Sequence, residues 1–196
     1  MRLRPLFFAA LAALVLPAQD PGLKETLALG KTLWAQQGDR EGATARFEQV
    51  LAALGPQSGQ LTPEWLKVLC EAHAWMAILE DRVPARRPQA TKHLEQMIEL
   101  DPGFDIDRTV TNARLQAVFD GLRTSRLAKV TLTLTPEGGR LEVNGQEAPP
   151  TPGLRWLKPG PHTFTYRRPG FRPTTVALEL PAKETKTLTL ALERSS

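Results

Sequence analysis

Two hydrophobic periods divide this chain. Up to about residue 126 the apolar side chains recur every three or four positions, and from Lys129 they alternate. The first spacing gathers apolar groups on one face of a helix, the second on one face of a strand. Leu23, Leu27, Gly30 and Trp34 make the first helical stripe, and Ala43, Phe47, Val50, Leu51 and Leu54 the second. Gly38-Asp39 separates them, and Gly55-Pro56 closes the second helix before a polar loop expected over 56–61. Thr62-Pro63-Glu64 predicts the start of a third helix, running to about Glu80. The Thr62 oxygen accepts an orphan N–H there, and proline at the first helical position loses no hydrogen bond. Trp65, Val68, Ala72, Trp75 and Leu79 form one side of this helix and Leu66, Leu69, Cys70 and Met76 another, which places it centrally in a bundle. After a Pro/Arg-rich connection at 82–88, Ala90, Leu94, Met97 and Ile98 mark a fourth helix. Leu115, Val118, Phe119 and Leu122 mark a fifth at about 110–125, capped by Thr111 or Asn112.

The alternating part is cut into short strands by turn residues. Val130, Leu132 and Leu134 alternate with threonine, and Pro136, Glu137, Gly138 and Gly139 form a turn. Leu141 and Val143 lead into Asn144-Gly145, a strong hairpin signal because both residues tolerate positive φ. Leu154 and Trp156 precede the Pro159-Gly160 turn, and His162, Phe164 and Tyr166 precede Pro169-Gly170. Val176, Leu178, Leu180 and then Leu188, Leu190, Leu192 complete the series. Six or seven short strands at this spacing predict a small β-sandwich. The expected fold class is α+β in two domains. A repeat-like bundle of about five helices spans 19–126, and an antiparallel β-sandwich spans 127–196.

Each half is similar to a known module. Trp34, Gly38, Asp39, Ala43, Phe47 and Leu51 stand at the spacing of a tetratricopeptide repeat, which the first hairpin resembles. Lys31 departs from that pattern, which has glycine there; Gly30 is adjacent. Residues 62–102 match through Ala90, Leu94 and Leu100-Asp101-Pro102, with a longer connection at 81–88. The alternating segment resembles the PEGA domain. Its Pro136-Glu137-Gly138-Gly139 has glycine for the final alanine, and Val143-Asn144-Gly145, Pro159-Gly160-Pro161-His162 and Pro169-Gly170-Phe171 follow in order. The PEGA resemblance implies a bacterial, extracytoplasmic, non-enzymatic module. The repeat resemblance implies either peptide or protein binding on a concave face, or packing alone.

The N-terminus agrees with an extracytoplasmic setting. Arg2 and Arg4 precede an apolar run from Leu6 to Leu16, with Pro17-Ala18 after it. This is the layout of a secretory signal over 1–18, too short to span a bilayer. A retained anchor and a buried helix are the alternatives. Cys70 is the only cysteine, so no intrachain disulfide forms, and its apolar helical setting predicts a buried thiol. Residues 19–126 carry 13 basic and 15 acidic side chains, whereas 127–196 carry 10 and 6. The positive balance therefore lies in the β half, where it suits anionic polymer or serves only to solvate the surface. Nucleic acid is not an expected partner of an exported chain.

Candidate chemistry is sparse. His73, His93 and His162 lack close metal-ligand spacing, and His162 belongs to a turn. Asp101, Asp105 and Asp107 lack the bidentate glutamate of a calcium loop and read as a polar link. There is no phosphate-cradling glycine loop, nucleophile elbow or His-Glu-x-x-His. No enzyme activity, cofactor or metal is expected. Trp34, Trp65 and Trp75 stand at core spacing. Trp156, beside Arg155 and Lys158, is either a sandwich core residue or a surface aromatic for sugar or protein. Arg167, Arg168 and Arg172 flank a turn and, with Arg155 and Trp156, form the candidate binding patch. The expected function is exported, non-catalytic binding or scaffolding toward an envelope protein or cell-wall polymer, with no membrane span beyond the signal. The alternative is a carbohydrate-binding or enzyme-accessory module.

Overall fold

Side-chain caps set the starts of the second, third and fifth helices. α1 (Gly22–Gln37) ends at Gly38, whose φ of 66° lets the chain turn back. Asp39 then accepts the Gly42 N–H at 2.9 Å and opens α2 (Arg40–Leu54). Thr62 accepts the Trp65 N–H and opens α3 (Pro63–Asp81), as the sequence predicts. Asn112, not Thr111, caps α5 (Ala113–Arg126), accepting the Leu115 N–H at 2.8 Å. Two expected loops are partly helical. Gly55–Gln60 and Pro84–Arg86 form 3₁₀ turns, and α4 (Arg87–Leu100) begins inside the predicted connection. Pro88 is tolerated there because it sits in the first turn, where its missing N–H has no intrahelical partner. The computed structural model describes residues 20–195; the expected export signal at 1–18 lies outside them.

Close approach of α1 and α2 depends on one glycine. Gly30 is buried, and a Cβ there would stand 2.7 Å from the Phe47 ring. Ala43, Phe47, Val50 and Leu54 bring the facing stripe, all fully buried. Phe47 continues to Trp75 of α3, ring centroids 6.0 Å apart, so the first hairpin is bonded to the third helix through aromatic packing. α3 is central: every residue from Ala72 to Asp81 is buried. α4 and α5 complete the layer through Leu94, Met97, Leu115 and Phe119.

Among the described residues seven strands follow the five helices. They are β1 (Ala128–Thr135), β2 (Arg140–Val143), β3 (Gln146–Ala148), β4 (Gly153–Leu157), β5 (Gly160–Arg167), β6 (Thr174–Leu180) and β7 (Thr185–Ala191). They form a three-stranded sheet β4-β1-β7 and a four-stranded sheet β3-β2-β5-β6. Val130, Leu132, Leu134, Leu141, Phe164, Tyr166, Leu180 and Leu190 fill the space between them. One pairing departs from the antiparallel expectation. β1 and β7 run parallel, with Leu132 opposite Leu188 and Leu134 opposite Leu190. Alternation fixes which face of a strand is buried, not its direction, so the pattern of Leu188, Leu190 and Leu192 left this open.

The predicted turns are built as hairpin chemistry requires. Asn144 and Gly145 have φ of 53° and 77°, and Asn144 Oδ1 accepts the Thr163 N–H at 2.8 Å. Asn144 Nδ2 also donates to His162 Nδ1 at 3.0 Å, while His162 Nε2 donates to the Lys158 carbonyl at 2.8 Å. His162 thus locks two turns together. A Cβ added at Gly139 would lie 2.6 Å from Arg167 O and from the Tyr166 ring. The buried Tyr166 hydroxyl accepts the Gly139 N–H at 2.9 Å and donates to Pro136 O at 2.7 Å.

Candidate functional site

The five residues of the expected patch fall in three separate places. Trp156 pairs with Lys129 in the three-stranded sheet and shares its outer face. Its ring packs against the helical core rather than the sandwich core. Lys129 Nζ lies 4.6 Å from the ring centroid and the Arg123 guanidinium 5.2 Å. Trp156 is therefore a contact between the two halves, its half-buried ring lying against the helices and not in the sandwich core. Lys158 reinforces the contact by an ion pair with Glu99 of α4. Arg155 points elsewhere, donating to the Pro149 and Thr151 carbonyls and holding the 149–153 connection.

Arg167, Arg168 and Arg172 lie at the far end of β5. That strand has eight residues, so roughly 25 Å of extended chain separates them from the β4–β5 turn. Arg167 is 3.6 Å from Glu142. Arg168 donates to Glu137 O at 2.7 Å and lies over the Phe171 ring. The Arg172 amide donates to Glu193 O at 2.8 Å. This end of the module is basic, but Trp156 is not part of it.

Clefts of two kinds open in the helical half among the described residues. The first, about 300 Å³, lies between α1, α3 and the 104–110 segment. Ala74, Trp75, Ile78, Phe104, Ile106 and Val110 give it an apolar lining. Lys31 and Glu71, paired at 2.7 Å, and Asp105 and Asp107 supply its polar groups. The three aspartates of the expected link close local turns. Asp101 accepts the Gly103 N–H at 2.9 Å, Asp105 the Ile106 N–H at 2.9 Å and Asp107 the Thr109 N–H at 2.8 Å. The Thr109 hydroxyl, at 2.6 Å, and its amide hold the Asp107 carboxyl below the usual carboxylate range. Among the described residues no three His, Cys, Asp or Glu side chains gather as a metal set.

The second cleft, about 570 Å³, lies between α2, α3 and α4. Leu51, Ala52, Leu69 and Leu100 line it with His73 and His93. The two Nδ1 atoms are 2.9 Å apart, so one ring donates and the other accepts. Burial, then the neighbouring imidazole, pushes the pKa of His73 down to about 4, and burial lowers His93 too. Both rings are neutral at pH 7. Cys70, one turn from His73, is buried, and burial pushes its thiol up to about 12. It is an inert core group, as the sequence predicts.

Sequence reasoning missed the histidine pair and two buried acids. His73 and His93 lie 20 residues apart, and the available signal was their place beside Leu69-Cys70 and Leu94 on facing stripes. Glu80 and Asp81 are 6% and 2% exposed. Glu80 meets Arg86 at 2.9 Å, and Asp81 meets Arg114 and accepts from Asn112 Nδ2 at 2.8 Å. They tie the end of α3 to the 3₁₀ turn and to the start of α5. Among the described residues no helix is long and apolar enough to cross a membrane. No protein-family model and no curated protein sequence matches this chain.

Proposed function

We propose that the protein is an exported, non-catalytic scaffold. Its helical half, a tetratricopeptide-like unit, holds a partner in the cleft between α1, α3 and the 104–110 segment. Its PEGA-like half presents the basic end of β5 to an envelope protein or an anionic cell-wall polymer. The observation that carries this reading is the make-up of the first cleft: an apolar floor with charged groups at its edge. Such a lining fits an apolar side chain of an extended segment and orients the polar groups around it. Export is supported by the signal pattern at 1–18.

The alternative, a carbohydrate-binding module centred on Trp156, has less support. Stacking a sugar needs an open aromatic face, and this ring is packed on the helices beneath two cations.

Two measurements test the proposal. Crosslinked capture from envelope extract is expected to retain a discrete protein that Phe104→Ala and Lys31→Glu lose with unchanged circular dichroism. Co-sedimentation with purified cell wall is expected to weaken in Arg167→Glu/Arg168→Glu. Failure of both, capture and co-sedimentation, sinks the reading.

A further inference from the structure

One buried side chain links Asp105, at the first cleft, to Trp156 of the β module. Arg123 of α5 is 5% exposed. Its guanidinium lies between two rings, 4.7 Å from the Phe119 centroid and 5.2 Å from that of Trp156. Its Nη1 is 3.3 Å from Asp105 Oδ1, and its Nη2 donates to Pro102 O at 3.3 Å. Nε has no hydrogen-bond partner among the described residues. The aromatic faces attract the cation but do not neutralise it. Asp105 is the carboxylate paired with it, and Asp120 and Asp101 add weaker attraction. Arg108 holds Asp120 in a two-pronged pair, at 2.8 and 3.1 Å, and stands farther, at 3.8 Å, from the Asp105 Oδ1 that meets Arg123.

Asp105 faces two ways. One oxygen meets the buried guanidinium, yet its side chain is 56% exposed and lines the first cleft. A charge as buried as that of Arg123 is costly without its partner, because desolvation is no longer offset by attraction. Whatever takes Asp105 away therefore disturbs Arg123, and with it the surface on which Trp156 rests.

We infer that the first cleft and the β module are coupled through Asp105 and Arg123, so that a partner presenting a cationic group to Asp105 competes with Arg123 and loosens the contact at β4. The inference rests on the reading of this cleft as the partner site, and it adds the ligand chemistry and the consequence of binding. Linkage makes the effect reciprocal: a β module that is loosened for another reason frees Asp105 for the cation.

The test is amide hydrogen exchange on the full chain, read at β4 and at residues 101–107. Asp105→Asn keeps the shape and removes the charge. It is expected to speed exchange at β4 by about tenfold, equivalent to about 1.4 kcal/mol. Asp107→Asn, on the same segment but away from Arg123, is expected to leave β4 unchanged. Should Asp105→Asn fail to fold, Arg123→Lys, which weakens the same pair, carries the measurement. n-Butylammonium is the ligand probe and n-butanol its neutral control. The amine is expected to speed β4 exchange in the wild type and have no effect in Asp105→Asn. Unchanged β4 exchange in Asp105→Asn overturns the coupling; an amine without effect on the wild type, or no better than the alcohol, overturns the cationic ligand. A cleft that captures no protein defeats its reading as the partner site but leaves the Asp105→Asn result standing. The two failures are thus distinguishable.

Discussion

The histidine pair shows how a residue's neighbours set its chemistry. His73 starts from an ordinary value of 6.5 and is pushed to about 4 by burial and by His93. The folded state therefore holds the neutral imidazole, while the unfolded state takes up a proton below pH 6.5. Between about pH 6.5 and 4 the unfolded chain binds more protons, so stability falls as pH falls and levels off below 4. For a shift of this size the loss is on the order of 3 kcal/mol at most. Urea titrations at pH 7 and pH 4.5 should show a lower midpoint at the acid value, and His73→Leu should flatten the difference. An equal midpoint at both pH values in the wild type would contradict the lowering of His73 by burial. The pair was not legible beforehand, because each histidine taken alone looks like a satisfied core residue. Cys70 was legible: its flanking apolar residues already predicted burial, and no partner was needed to explain it.

At the scale of elements, the α1–α2 hairpin turns on Gly30. Alanine in the middle of a helix is favoured over glycine by about 1 kcal/mol. Here the added Cβ would stand 2.7 Å from Phe47, a ring that is itself fully buried against α3. Overpacking of that kind costs roughly 1–3 kcal/mol, so the contact outweighs the propensity. Gly30→Ala is expected to lower the melting temperature; a rise would mean the two helices separate without cost. The sequence placed Gly30 on the apolar stripe but did not say that its lack of a side chain was the point. Helix and strand positions were legible from period and caps. The direction of β7 was not, because parallel and antiparallel pairing bury the same alternate leucines.

For the whole molecule, the contact at Trp156 decides whether there are two independent bodies or one. The ring, its two cations and the Lys158–Glu99 pair join the β module to the helices. The exposed ion pair contributes little, on the order of 0–1 kcal/mol, so the ring carries most of the contact. Trp156→Ala is expected to leave both sets of secondary structure intact while opening the chain near residue 127 to limited proteolysis. Unchanged protection there would show that the halves are held by something else. By itself the sequence determined the two periods, the caps, the turn glycines and the division near residue 127. These are local, written in residues a few positions apart. Only the tertiary structure decided which strands pair in parallel, that His73 meets His93, that Trp156 leaves the sandwich for the helices, and that Arg123 links Asp105 to it. Those contacts join residues 18 to 59 positions apart, and each side chain alone is compatible with several partners. Packing chooses among them, since a buried charge or ring settles only where neighbours from distant segments cover it.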